Sequence, residues 1–252
     1  MNFIIMDKSC MSAFSDIINA DDHKHWMLQL FYAFDNDLQI TVNGNEITCK
    51  CIAVNTDVVH SFKTQNRLHF TMLIDIASPL FLELKKKYLK NKEYYIFDNE
   101  MLTNKQSVVF PQQPINIQWY ECFVSTFFHA MGITIRPCVT YDERILEVIK
   151  QLDICDCTDH SIQKITERIA LSPSRLSHLF KEQTGMPLKS YILLHMVQRA
   201  YLQLFENGNI TDAALNAGFD SPSHFAATSK KLTGMSATNI SKDSVFLKAF
   251  YI

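Results

Sequence analysis

A chain of 252 residues with 47% hydrophobic content has the apolar area for one or two genuine cores and is not a disordered tail. Six Gly and seven Pro are too few for a loop-rich architecture, and no apolar run approaches the ~20 residues needed to cross a bilayer. The net charge of −2 hides an asymmetry: residues 1–140 carry 12 Lys+Arg against 14 Asp+Glu, residues 141–160 carry 2 against 6, and residues 161–252 carry 10 against 6, so a module that meets phosphates belongs at the C-terminal end.

The first regular signal along the chain is alternation. Leu38, Ile40 and Val42 point one way, Asn43-Gly44 makes a turn, and Ile47, Cys49 and Cys51 resume the pattern, which predicts a hairpin. Further β-type runs at Val58–Phe62 and Leu68–Ile74 extend this to an antiparallel sheet or small barrel over residues ~1 to 78. Two residues apart on one strand, Cys49 and Cys51 share a face and read as core. Neither this C-x-C pair nor Cys155/Cys157 has the donor set of a tetrahedral metal site. The seven cysteines are odd in number and scattered, and the N-terminus lacks the basic-then-apolar pattern of a secretion signal, so a reducing cytoplasm is expected.

From Pro79 the pattern turns helical, with Leu80, Leu84 and Tyr88 as the apolar stripe and Lys85 to Lys87 and Lys90 as a solvated face. Asn116 to Met131 is apolar and aromatic around most of its circumference and must be covered on nearly all sides. Arg136-Pro137 breaks the chain, and Tyr141 to Leu152 forms another helix with Ile145, Leu146, Ile149 and Leu152 as its stripe. The acidic stretch Asp153 to Asp159 is the expected linker.

An internal repeat follows. Shifted by 49, SPSRLSHLFKEQTGMP (172–187) aligns with SPSHFAATSKKLTGMS (221–236), with seven of sixteen positions identical. Helix-end chemistry explains the shared residues. Ser172 and Ser221 are N-caps, Pro173 and Pro222 sit at the first helical position, where no N–H is missed, and Gly185 and Gly234 supply the left-handed residue that ends each helix. Each copy is preceded by a short helix and a tight turn. The first carries Ile162, Ile165, Ile169 and Leu171, with Ser161 or Asp159 at its start; the second is capped by Thr211, carries Ala213, Ala214 and Leu215, and turns at Gly218-Phe219. Helix, sharp turn, capped helix is a helix-turn-helix unit, and Leu188 to Phe205 is the long helix that joins the two. In the first capped helix Leu176, Leu179 and Phe180 face the core, while Ser174, Ser177, His178 and Lys181 stand at i, i+3, i+4 and i+7 on the other side. Short polar, imidazole and ammonium groups on such a face reach base edges and phosphates.

These stretches resemble the AraC/XylS family of transcription regulators: Ser161 through Leu179-Phe180-Lys181 to Thr184-Gly185, then Arg199-Ala200 with Leu202 and Leu204, then Ile210-Thr211 to Ala217-Gly218-Phe219. The resemblance covers residues 161–252. It implies that Ser174, Ser177 and His178 face bases in the first recognition helix with Arg175 and Lys181 nearer the backbone. In the second, Ser223, His224, Ala226 and Ala227 face bases and Lys230 points toward phosphate. The chain departs from the family at Ala227, where a basic residue is usual, at Ser229, where a core aromatic is usual, and at Ala237, where a proline is usual. Losing the aromatic costs on the order of 3 kcal/mol if nothing compensates, so the first unit is expected to carry most sequence discrimination.

The implied fold is α+β: a cupin-like β domain with helices for sensing and dimerisation over 1–153, a linker over 154–160, and an all-α domain of two helix-turn-helix units joined by a long helix over 161–252. The implied function is a cytoplasmic, sequence-specific DNA-binding regulator, an activator and not an enzyme. Its expected partners are double-stranded DNA, a second copy of the chain, RNA polymerase and a small-molecule effector, with no membrane and no cofactor. His25, Trp26, Tyr32, His60 and Phe62 are the candidate effector residues. His23, His25 and His60 have the spacing of cupin metal ligands, but Gln29 stands where a carboxylate is frequent, so no metal is assigned. Two alternatives are a metal-dependent cupin enzyme with a DNA-binding tail and a co-regulator acting by protein contact with weak DNA binding. The chain has no Walker-type glycine loop, G-x-S-x-G elbow or H-E-x-x-H helix.

Overall fold

A computed structural model of the chain describes residues 2–7, 9–98, 115–134, 141–154, 165–166, 169–241 and 244–248. It divides into two compact units, Met1–Val139 with Lys231–Ile252, and Thr140–Lys230. The expected break at Arg136-Pro137, all of the expected linker but Ile154, and the start of the first helix-turn-helix at Asp159 to Ile162 lie outside the described residues.

The first unit is built on two sheets. Among the described residues the larger has the order β10-β7-β4-β9-β2-β1-β11 and the smaller β3-β8-β5-β6. The strands are β1 (Asn2–Met6), β2 (Cys10–Ser15), β3 (Asn19–His23), β4 (Leu28–Ala33), β5 (Leu38–Val42), β6 (Asn45–Cys49), β7 (Cys51–Val54), β8 (His60–Lys63), β9 (His69–Ile74), β10 (Tyr94–Ile96) and β11 (Val245–Lys248). The predicted hairpin is β5–β6, in register with Val42 opposite Asn45. Asn43 and Gly44 both have positive φ, 47° and 77°, the geometry that matches a two-residue turn to strand twist.

Cys49 and Cys51 do not share a strand. Cys49 ends β6 in the small sheet and Cys51 opens β7 in the large one. Lys50 marks the switch; its carbonyl accepts from Ala33 N–H and its ammonium donates to the carbonyls of Phe34 and Asp35. Both cysteines are nevertheless buried: Cys49 lies in the core between the sheets with Ile40 and Phe62, whereas Cys51, opposite Tyr32, faces the other side of the large sheet.

Helix α1 (Pro79–Lys87) starts at Ser78, whose hydroxyl accepts from Leu80 N–H, with Pro79 at the first position and Leu80, Phe81 and Leu84 buried. Helix α2 (Ile117–Ala130) starts at Asn116, whose side chain accepts from Trp119 N–H. The large sheet covers its aromatic side. Phe123 meets Phe70 and Phe14 at ring-centroid distances of 4.9 and 5.1 Å, Phe127 meets Tyr32 at 5.1 Å, and the hydroxyls of Tyr120 and Ser12 bond at 2.6 Å.

The second unit is helical. Helix α3 (Glu143–Ile154) buries Ile145, Val148, Ile149 and Leu152. The expected stripe included Leu146, which is 36% exposed; Val148 takes its place, since i, i+3, i+4, i+7 counted from Ile145 reaches 148, 149 and 152. Then come α4 (Pro173–Thr184), α5 (Leu188–Asn207), α6 (Ile210–Asn216) and α7 (Pro222–Thr233), whose last residues, like the short α8 (Ala237–Ser241), group with the first unit. At 20 residues, α5 is about 30 Å long. Among the described residues no helix is long and apolar enough to cross a membrane.

Candidate nucleic-acid interface and effector pocket

The two repeat helices, α4 and α7, are each 12 residues long and are closed by the same chemistry. Ser172 Oγ accepts from Arg175 N–H at 3.3 Å, and Ser221 Oγ accepts from His224 N–H at 3.1 Å. At the other end Thr184 Oγ1 accepts from Met186 N–H at 3.1 Å and Thr233 Oγ1 accepts from Met235 N–H at 3.2 Å. Gly185 and Gly234 follow at φ 77° and 69°, positions that only glycine adopts cheaply. In α6, by contrast, the cap is Asn209 rather than Thr211: its side-chain oxygen accepts from both Thr211 and Asp212 N–H at 2.9 and 3.2 Å, and Leu215 is exposed.

On α4, Leu176 and Phe180 are fully buried and Leu179 is half-buried, while Ser174, Arg175, His178 and Lys181 are exposed. Ser177 is half-buried and donates its hydroxyl to the Pro173 carbonyl at 2.8 Å. On α7, Ser223, His224, Ala227 and Lys230 are exposed and Phe225 is buried. His224 already has local partners, with Nδ1 3.2 Å from an Asp220 carboxylate oxygen and its ring edge-on to Phe219.

The position where a core aromatic is usual is occupied by Ser229, fully buried, and its hydroxyl bonds the Tyr201 hydroxyl. Tyr201, from the connecting helix, is itself buried and packs edge-on against Phe225 at 5.4 Å. The ring beside Ser229 is therefore that of Tyr201, delivered from α5, next to the ring that α7 itself supplies at Phe225. In the first copy Phe180 supplies the ring from α4 and meets Tyr191 at 5.1 Å.

Within the first unit a cavity is lined by Ile4, Met11, Phe31, Phe62, Met235 and Ile240 among its apolar groups, with His23, His25, Gln29 and Thr71 as its polar side. Of the expected effector residues, His25 and Phe62 line it. His60 is linked to it through Gln29. Tyr32 lies on the opposite face of β4 from Phe31, against α2, as strand alternation requires. Trp26 is half-buried and outside the lining.

The three histidines are buried and come together, with one ring nitrogen of each within 4.8 Å of the others. Gln29 joins two of them, its Oε1 end lying 2.9 Å from His25 Nε2 and 2.8 Å from His60 Nε2, and its other end 3.0 Å from Thr71 Oγ1. Burial pushes His25 down to about 4 and His60 down to about 3, each helped by neighbouring histidines, so both are neutral near pH 7. Gln29 stood in the sequence only as the position after the histidine pair where a carboxylate is frequent, and Thr71 was not singled out. The available signal for Gln29 was its place four residues after His25, near the start of β4.

Residues 165–243 match the family model described as a helix-turn-helix domain. The arabinose operon regulatory protein of Escherichia coli (strain K12) is 33% identical over 97 residues, covering 38% of this chain and 33% of that protein. Its counterpart in Salmonella typhimurium is 37% identical over 76 residues, covering 30% and 27%. The match thus spans about a third of the length of these curated relatives. Among solved structures, an apo variant of ToxT from Vibrio cholerae has a TM-score of 0.56 at 14% identity over 90% of this chain and 95% of that one. ToxT bound to an unsaturated fatty acid has a TM-score of 0.51 at 13% identity over 91% and 92%. At such identities the likeness is one of fold, a β-rich part followed by a helical part. Over residues 165–243 the chain is similar to helix-turn-helix regulators of the kind that the arabinose operon regulatory proteins represent.

Proposed function

We propose that the chain is a sequence-specific DNA-binding transcription activator whose activity is set by a small-molecule effector in the N-terminal cavity. The observation that carries this reading is the pair of equally long, identically capped helices with Ser174, Arg175, His178 and Lys181 exposed on one and Ser223, His224 and Lys230 on the other. Capped helix N-termini entering successive major-groove segments, about 34 Å apart on one face of B-DNA, are how tandem units of this type meet a duplex. Arg175, Lys181 and Lys230 supply phosphate contacts, which fix register, and the short polar groups and His178 supply base contacts, which specify sequence.

The functional division is a sensing and dimerisation module over 1–153, a linker over 154–160 and the DNA-binding module over 161–252. An apolar cavity with a few convergent polar groups suits an effector with an apolar body, and a ToxT structure with a bound unsaturated fatty acid supports that class. An effector acts by binding the DNA-competent state more tightly than the other. A cytoplasmic homodimer that contacts RNA polymerase completes the reading, and no catalytic role is assigned to any residue.

Fluorescence anisotropy with duplexes from the chain's own promoter region tests the proposal. Binding that weakens steeply with added salt and exceeds that to random duplex is expected. Equal affinity for promoter and random duplex removes the sequence-specific part, and no affinity even at low salt leaves a protein-contact co-regulator.

A further inference from the structure

Among the described residues the wall of the N-terminal cavity carries no formal charge. It includes no Lys, Arg, Asp or Glu, and burial holds its two histidines, His23 and His25, below their ordinary value, so both are uncharged near pH 7. The formal charges that act on His23 are negative, those of the exposed Asp22 and Asp21. His25 is also fixed in its tautomer. Its Nδ1 lies 3.0 Å from the Met27 carbonyl, which only accepts, so Nδ1 carries the proton and Nε2 meets Gln29 as a lone pair. Turning this ring into a cation for an incoming anion is opposed by burial and then by the neighbouring His23.

The polar groups of the wall already have partners inside the protein. Ser12 Oγ bonds the Tyr120 hydroxyl at 2.6 Å, and Gln29 bonds Thr71 at 3.0 Å. Asn2 Nδ2 donates to the Ser244 hydroxyl at 2.7 Å, and Thr233 Oγ1 donates to the Met235 carbonyl at 3.1 Å. The remainder is apolar and adaptable: Phe31 and Phe62 meet at a centroid distance of 4.8 Å, and Met11 and Met235 bring flexible thioethers to the lining. A carboxylate that left water for this wall would meet no cation and few uncommitted N–H or O–H groups, and an ammonium would meet no carboxylate. A charge buried without compensation is excluded far more strongly than a neutral polar group. A hydroxyl or carbonyl needs only one partner, and loses little once it has it.

We propose that the effector of this cavity is an uncharged, mainly apolar molecule whose polar part is no more than a hydroxyl or carbonyl group. The inference rests on the effector reading given above and narrows it by charge. Carboxylic acids, fatty acids included, and amines are rejected at the wall whatever apolar body carries them. For an acid, repulsion from Asp21 and Asp22 adds to the rejection.

The test uses the full-length chain at about pH 7.5, where a free carboxylic acid and a primary amine are both ionised. Hexyl, decyl and 2-phenylethyl skeletons are each offered as alcohol, carboxylic acid and amine, and binding is read by thermal shift and calorimetry. Where a skeleton binds, its alcohol is expected to bind about tenfold or more tightly than its acid and its amine. Ile17 lines the cavity yet is 46% exposed at its rim, so Ile17→Lys brings an ammonium to the mouth without disturbing the core. It should raise the affinity for the acid roughly two- to fivefold and leave that for the alcohol nearly unchanged. An acid or amine bound as tightly as its alcohol, or an acid-to-alcohol ratio unmoved in folded Ile17→Lys, overturns the inference and leaves the effector cavity standing. If Ile17→Lys fails to fold by circular dichroism, the ratios in the unsubstituted chain decide. No binding by any of the compounds overturns both the inference and the effector reading beneath it.

Discussion

The two repeat helices, α4 and α7, have the same length and the same ends but different middles. Phe180 in α4 and Ser229 in α7 occupy equivalent places, both fully buried, yet one fills its core with its own ring and the other borrows the ring of Tyr201. The exposed faces differ too. His178 on α4 is matched by Ala227 on α7, and Arg175 by His224, so the second face has fewer long donors. Capping thus fixes where each helix starts and stops, whereas its packing and its exposed face vary independently between the copies.

The comparison breaks most sharply in the core. Phe180→Ser, which gives α4 the residue of α7 without a compensating tyrosine, should destabilise the helical unit by roughly 3–5 kcal/mol. The reverse exchange, Ser229→Phe, should cost about 1–3 kcal/mol by overpacking against Tyr201. Urea melts of both variants measure the asymmetry; equal losses would mean that Tyr201 does not fill the space.

The terminal glycines give the next contrast. Gly185 has open space where a Cβ would stand, but a Cβ at Gly234 would meet the Asp21 carbonyl oxygen at 2.5 Å and His23 Nδ1 at 2.7 Å. Gly185→Ala should cost only the left-handed backbone penalty of about 1–2 kcal/mol, and Gly234→Ala roughly 2–4 kcal/mol, because backbone must also shift. Thermal melts that rank the two the other way would contradict this close approach.

Tyr201→Phe comes third. It keeps the ring and removes the bond to the Ser229 hydroxyl, for an expected loss of roughly 0.5–1.5 kcal/mol. Ser229→Ala in the same background should recover part of it, since both partners are then apolar. Smallest of all are the two exposed lysines. Lys181→Ala and Lys230→Ala should each weaken binding to every duplex alike and lower the salt-dependence slope by about 1, with no change in base preference.

How far the sequence was legible follows from how local each feature is. The caps at Ser172 and Ser221, the Asn43-Gly44 turn and the start of α1 at Pro79 depend on residues within a few positions, and all stand where the pattern put them. Cys49 and Cys51 show where period-2 reading stops: alternation continues across Lys50 while the chain changes sheets. Asn209 and Thr211 are both cap residues two apart, and only the backbone distances say which N–H groups each reaches. The Tyr201–Ser229 bond spans 28 residues, and β1 pairs with β11 from the far end of the chain, beyond any local window. In the candidate pocket the histidines were visible as spacing, but Gln29 and Thr71 became part of the site only through the β4–β9 register, which places Gln29 two residues from the position opposite Thr71.

In the proposed mode both helices face DNA and α4 does most of the reading. Binding of the full-length chain to a set of duplexes carrying every single-base change in its site, repeated with His178→Ala and His224→Ala, tests it most directly. Preference should relax at one or two base pairs by about 1–3 kcal/mol in His178→Ala and shift far less in His224→Ala. Base-preference profiles that are the same for the unsubstituted chain and for His178→Ala would contradict it.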